Sequence, residues 1–175
     1  MAETQSSLDL ERHRDLRGRG SGPWARRAVV AVFAAIAIAA LAGAIGQRGG
    51  RDVAAAPAAK LEVSGPSRVR GGLYFQALIT VRARRSIAHP QLVLNRAWFD
   101  GLTINTMEPQ ASQESATGGG NIAFQYDKLD AGDVMRVWIE YQVNPTTVTR
   151  RTQVVELDDG AQELVSLRRR LTVLP

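Results

Sequence analysis

Two periodicities of hydrophobic and polar positions divide the chain. Residues 28–46, AVVAVFAAIAIAALAGAIG, run for nineteen positions without a charged or polar side chain. As an α-helix this stretch is roughly 28 Å long, close to the about 30 Å hydrocarbon core of a bilayer. From residue 60 onward the apolar period becomes two, the spacing of a half-buried strand. Leu61 and Val63 alternate with polar neighbours until Gly65-Pro66. Phe75, Ala77, Ile79 and Val81 share one face of a segment at 73–83, and Leu92 with Leu94 mark another at 91–95. Leu102 and Ile104 point inward from 101–107, and Ile122, Phe124 and Tyr126 alternate within 121–129. The clearest strand is 134–143, where Met135, Val137, Ile139, Tyr141 and Val143 face one way. Segments 149–157 and 163–174 flank Asp158-Asp159-Gly160, a hairpin signal. Residues 108–120 read as a polar loop ending in three glycines.

These segments, separated by turn signals every about 8–12 residues, predict an all-β fold. The expected architecture is an Ig-like antiparallel β-sandwich of seven or eight strands behind a single N-terminal transmembrane helix. The expected organisation is an Arg-rich, mostly disordered cytoplasmic tail at 1–27, the transmembrane helix at 28–46, a linker at 47–59 and an extracytoplasmic domain at 60–175. The linker assignment rests on Gly49, Gly50 and Pro57 and on the lack of alternation.

Charge gives the helix a direction. Arg12, Arg14, Arg17, Arg19, Arg26 and Arg27 precede it, while only Arg48 and Arg51 follow closely. Positive flanks stay in the cytoplasm, so the helix reads as a signal anchor with the C-terminal domain translocated. A cleaved signal peptide is the competing reading. Its apolar core usually spans about 7–15 residues, and its cleavage site would fall at Ala54-Ala55-Ala56, just before Pro57. Along the helix, Ala31, Ala35, Ala39 and Gly43 recur every fourth position, a small-residue stripe suited to packing against another membrane helix.

The net charge of +5 raises the question of nucleic acid, and its distribution answers no. From residue 60 there are 14 Lys and Arg against 12 Asp and Glu, interspersed, with no basic stripe carrying aromatics. The absence of cysteine excludes disulfides, thiol catalysis and cysteine metal sites.

The segment Lys128-Leu129-Asp130-Ala131-Gly132-Asp133, with the alternating strand after it, resembles the "L-x-P-G-[ED]" turn and following strand of bacterial Ig-like and fibronectin-type-III-like cell-envelope modules. Here Ala131 stands where those modules commonly carry Pro. The resemblance covers residues 128–143 and implies a fold and a bacterial envelope setting, without implying a ligand. Richness in Ala, Arg and Gly fits the same source.

Candidate chemistry is sparse. His13 and His89 fall on opposite sides of the membrane in this topology, and no nucleophile elbow or phosphate loop is present. Asp127, Asp130 and Asp133 surround a turn, but their spacing is not that of an EF-hand, and such carboxylates bond local backbone N–H groups. No cofactor, metal or catalytic residue is assigned. Arg169 falls on the inward series of its strand with Leu167 and Leu171, as an inward charge on an edge strand or an anchor for an acidic partner. The interaction candidates are Trp138 with its neighbour Arg136, on the non-core face of 134–143, and Trp98-Phe99 in a connection. The expectation is a non-enzymatic accessory or interaction subunit, anchored in the lipid bilayer of a bacterial cytoplasmic membrane. Its expected partner is an integral membrane or envelope protein. An extracytoplasmic ligand-binding protein or envelope enzyme is the alternative.

Overall fold

The computed structural model describes residues 22–42 and 48–175. The chain divides into two units after Gly46. The first is represented by α1, Gly22–Leu41, and Ala42 still donates its N–H to the Ile38 carbonyl at 2.8 Å. Helix α1 starts six residues ahead of the apolar stretch, because Arg26 and Arg27 are good helix formers and Pro23 in the first turn forfeits no helical bond. It therefore encloses Trp24, with the Arg27 guanidinium 5.6 Å from the indole centroid. By length and composition, Pro23–Leu41 is sufficient to cross a membrane. Ala31, Ala35 and Ala39 lie along one face, while Gly43 and the tail at 1–21 fall outside the described residues.

The second unit holds ten strands. They are β1 (Arg48–Ala55), β2 (Ala59–Arg70), β3 (Tyr74–Ala83), β4 (Pro90–Leu94), β5 (Leu102–Glu108), β6 (Gln113–Thr117), β7 (Asn121–Gln125), β8 (Val134–Val143), β9 (Thr149–Asp159) and β10 (Gln162–Leu174). The spatial order is β5-β8-β3-β2-β10-β9-β4-β7-β6, with β1 also paired to β2. All pairs are antiparallel except β2 with β10.

Strand β2 joins the two layers of this curled sandwich. Its first half pairs with β3 from Ala59 to Ser64, and its last residues pair with β10 from Arg68 to Arg70. Between them Gly65-Pro66-Ser67 form the corner. A Cβ on Gly65 would sit 3.2 Å from Ala77 of β3, so the close passage favours glycine, and Pro66 has no N–H to leave unpaired. The two layers enclose one core, which contains Leu61, Val63, Ile79, Val137, Ile139, Val155, Leu157 and Leu171.

Three expectations change. The stretch read as a linker contains β1, which pairs with β2 from Arg48↔Arg68 to Ala55↔Lys60. Strand β2 continues through Gly65-Pro66 instead of ending there. The polar loop contains β6, an exposed edge strand paired with β7. Both additional strands are held by backbone bonds, which leave no alternation in β6 and little in the Gly- and Ala-rich β1.

A half-exposed tryptophan and a buried arginine corner

On the outer side of β3 and β8 the register aligns Leu78 with Trp138, and β5 places Glu108 on the other flank of Trp138. The indole is 44% exposed because its β8 series points away from the core. Next to it Gln76 Nε2 donates to Glu140 Oε1 at 3.1 Å. Gln76, Thr106, Glu108, Trp138 and Glu140 line an open depression of about 370 Å³. Arg136 lies on the same face of β8, opposite Thr80, and is exposed, though it does not line the depression. The indole is thus flanked by two carboxylates, Glu108 and Glu140, and by the Gln76 amide.

Trp98 and Phe99 do not belong to this surface. Trp98 closes a short 3-10 turn, Arg96–Trp98, and is 1% exposed. Its Nε1 donates to the Val154 carbonyl at 3.1 Å, which satisfies the one polar atom of the buried indole. Phe99 is partly buried against the core. Both are core-closing residues rather than contact residues, because the turn after β4 folds them back over β9.

Two of the three turn acids, Asp130 and Asp133, are locally engaged. The Lys128 ammonium lies 2.7 Å from Asp130 Oδ1 and holds that carboxyl below the usual range. The Asp130 N–H donates to Asp133 Oδ2 at 2.8 Å. Among the described residues no group of three or more His, Asp or Glu is placed to hold a metal ion. His89 is a loop residue whose N–H donates to Asp159 Oδ1 at 2.8 Å.

Arg169 takes a role that its sequence position does not reveal. Its strand is internal, between β2 and β9, so guarding a free edge is not its task. The side chain is 1% exposed, and Nη2 donates to the carbonyls of Gly65 at 3.1 Å and Pro66 at 2.8 Å. These carbonyls sit where β2 has left β3 and not yet met β10. Nε lies 3.6 Å from Asp52 Oδ2. Among the described residues, Nε and Nη1 have no hydrogen-bond partner, and neither have the Tyr141 hydroxyl or the side-chain amide atoms of Gln153. Gln153 stands opposite Arg169 in the β9–β10 register. Burial lowers the Arg169 pKa, partly offset by Tyr141 and Asp52, while burial pushes the Tyr141 hydroxyl up to about 12. The inward position was legible in the alternation; the carbonyl partners depend on the change of layer in β2.

No family model matches the chain, and no curated protein matches it. Among solved structures, a CARDB domain from Pyrococcus furiosus, in complex with di-metal ions, is similar at 10% identity, covering 72% of this chain and 89% of its own, with a TM-score of 0.44. A non-cellulosomal cohesin from Archaeoglobus fulgidus shows 13% identity over 63% of this chain and 88% of its own, with a TM-score of 0.39. A structure from the Streptococcus parasanguinis Fap1 fimbriae shows 5% identity over 72% and 90%, with a TM-score of 0.41. These likenesses concern general fold and carry no inference about ligand or activity.

Proposed function

We propose that this chain is a single-pass, membrane-anchored protein of a bacterial envelope whose β unit is a non-catalytic accessory or interaction subunit. In this reading α1 lies in the cytoplasmic membrane, the N-terminus stays inside and the β unit lies outside. The outer face of β5-β8-β3 then contacts an integral membrane or envelope protein. The observation that carries the reading is Trp138, a large aromatic left 44% exposed between Leu78 and Glu108. Tryptophan is a favoured anchor in interfaces, where its area is buried with little loss of side-chain entropy. The anchor is supported by the length of α1, by its exposed apolar residues from Ala28 to Leu41 and by the Arg residues at and before its start.

The test is co-purification from detergent-solubilised membranes. Trp138→Ala and Ala35→Leu are each expected to weaken recovery of one and the same membrane protein, the double variant more than either, since two weak contacts on one chain reinforce each other. A partner profile unchanged in both variants would overturn the interaction reading. A mature N-terminus near Ala54–Lys60 would replace the anchor by a cleaved signal peptide.

A further inference from the structure

The charges around Trp138 point to the chemistry of what meets it. Strand register sets two rows side by side on the outer face of β5-β8-β3. Glu108, Trp138 and Leu78 form one row, and Thr106, Glu140 and Gln76 form the next. Residues directly opposite in such a row have Cβ atoms about 4.5–5.5 Å apart, so the Glu108 side chain stands beside the indole. Glu140 follows Trp138 on the same face of β8. Glu108, Trp138 and Glu140 are all exposed. Neither carboxylate forms an ion pair among the described residues. Glu140 accepts from the Gln76 amide, which carries no charge. Arg136 shares the face, yet it does not line the depression and pairs with neither acid among those residues. Among them the one arginine held over an indole is Arg27 on Trp24, so the Trp138 ring has no cation of its own.

We propose that the Trp138 depression receives a basic side chain of the partner protein, an arginine laid over the indole with its guanidinium between Glu108 and Glu140. The partner is that of the interaction reading above, on which this proposal rests. A guanidinium stacks on an indole face through cation–π attraction and presents a fork of donors to a carboxylate, so ring and acids serve one group. A lysine ammonium supplies the charge without the planar stack. An apolar partner would strip water from two carboxylates and pair neither, and an acidic partner would meet like charge. A neutral sugar could cover the ring but would leave both charges unbalanced. Tryptophan and arginine are also the residue types enriched among interface anchors, which tend to meet each other across an interface. Every residue of the site belongs to the β unit.

The test uses the full chain in a non-ionic detergent, with 5-fluorotryptophan in place of its three tryptophans and fluorine NMR as the readout. The Trp138 resonance is identified by its loss in Trp138→Phe, and the buried Trp98 is the internal reference. The probes are N-acetyl-arginine methylamide, its neutral isostere N-acetyl-citrulline methylamide, and methyl β-glucoside, with ionic strength held constant by sodium chloride. The arginine probe is expected to move the Trp138 resonance saturably, with a Kd on the order of tens of millimolar. The citrulline probe is expected to bind at least about fivefold more weakly. Glu108→Gln combined with Glu140→Gln is expected to weaken the arginine probe by at least about fivefold. The same double variant should move Tm by less than about 1 °C, as both side chains are exposed. Equal binding of the arginine and citrulline probes, an unchanged Kd in the double variant, or no saturable movement overturns the proposal. Tighter binding of methyl β-glucoside than of the arginine probe overturns it as well and makes the ring a sugar platform. Co-purification separates the basic anchor from the interaction reading. A membrane protein lost with Trp138→Ala but recovered in full with the double glutamine variant leaves that reading standing and overturns the basic anchor. A partner profile unchanged in Trp138→Ala and in Ala35→Leu overturns the interaction reading, and the basic anchor with it.

Discussion

The β3–β8 ladder and the β2–β10 corner line the same core with opposite chemistry. In the ladder the inward positions are apolar apart from one tyrosine hydroxyl: Phe75, Ala77, Ile79 and Val81 on one strand meet Met135, Val137, Ile139 and Tyr141 on the other. Backbone N–H and C=O groups pair with each other, so side chains are free to exclude water. At the corner β2 changes neighbours, and the Gly65 and Pro66 carbonyls turn to a side chain, Arg169. A regular ladder can be built from apolar side chains alone. A strand that crosses between layers requires a donor inside the core, and the donor here is charged.

The largest effect expected from breaking this comparison is in the ladder. Ile139 is fully buried and stands opposite Ala77 and Met107. Ile139→Ala removes buried methyl groups and leaves a cavity, at a cost of about 2–5 kcal/mol. Thermal unfolding of the full chain in detergent should show a Tm lower by about 8 °C or more. A shift under about 3 °C would mean that the ladder is not packed as described.

The corner should respond less, and in a manner that separates hydrogen bonding from volume. Arg169→Ala leaves both carbonyls without their donor and opens space, for an expected loss of about 2–3 kcal/mol. Arg169→Met retains the apolar stem and relieves the core of a charge, so its loss should be smaller, about 1–2 kcal/mol. If the methionine variant is as stable as the parent, the two carbonyl bonds contribute nothing and the corner is held by packing alone.

The same contrast explains what the sequence discloses. The alternation of Met135 to Val143 revealed both strand and inward face, because a ladder imposes one rule on every second residue. The exposed face of Trp138 followed from the same parity. Strand β6 could not be read that way, since all five of its residues are exposed and only the backbone pairs. Strand β1 is similarly obscured by Arg48-Gly49-Gly50-Arg51-Asp52, where β2 supplies the ladder and the residue types supply no alternating apolar face. Trp98 and Trp138 are identical in composition terms; the Val154 carbonyl that accepts from Trp98 Nε1 lies 56 residues away. Arg169 could be placed facing inward, but its partners depend on β2 leaving one layer for the other.

The smallest effect asks what happens to buried polarity that has no such carbonyl partner. Asp158 lies near the end of the β9–β10 hairpin, in register with Gln91 and Glu163, and its Oδ1 has no hydrogen-bond partner among the described residues. Burial, with Glu156 and Glu163 adding repulsion, pushes its carboxyl up to about 6. In the unfolded chain the group titrates near 3.8. Between those values the folded state holds a proton that the unfolded state has lost, so this group makes stability fall as pH rises through the window. The penalty is complete above about 6 and absent below about 4. Because Asp158 remains partly open to solvent, screening reduces the penalty to roughly 0.5–1 kcal/mol at neutral pH. Asp158→Asn removes the charge and keeps the shape, so it should raise Tm by about 2–4 °C at pH 7.5 and by nothing measurable at pH 4. Its sign is opposite to that of Arg169→Ala, although both side chains are polar and at least partly buried. Arg169 donates to two backbone carbonyls of the β2 corner, whereas Asp158 faces two like charges. A gain of equal size at both pH values would show that the carboxylate charge is not the cause. A loss at pH 7.5 would show that Asp158, like Arg169, serves a partner in the fold.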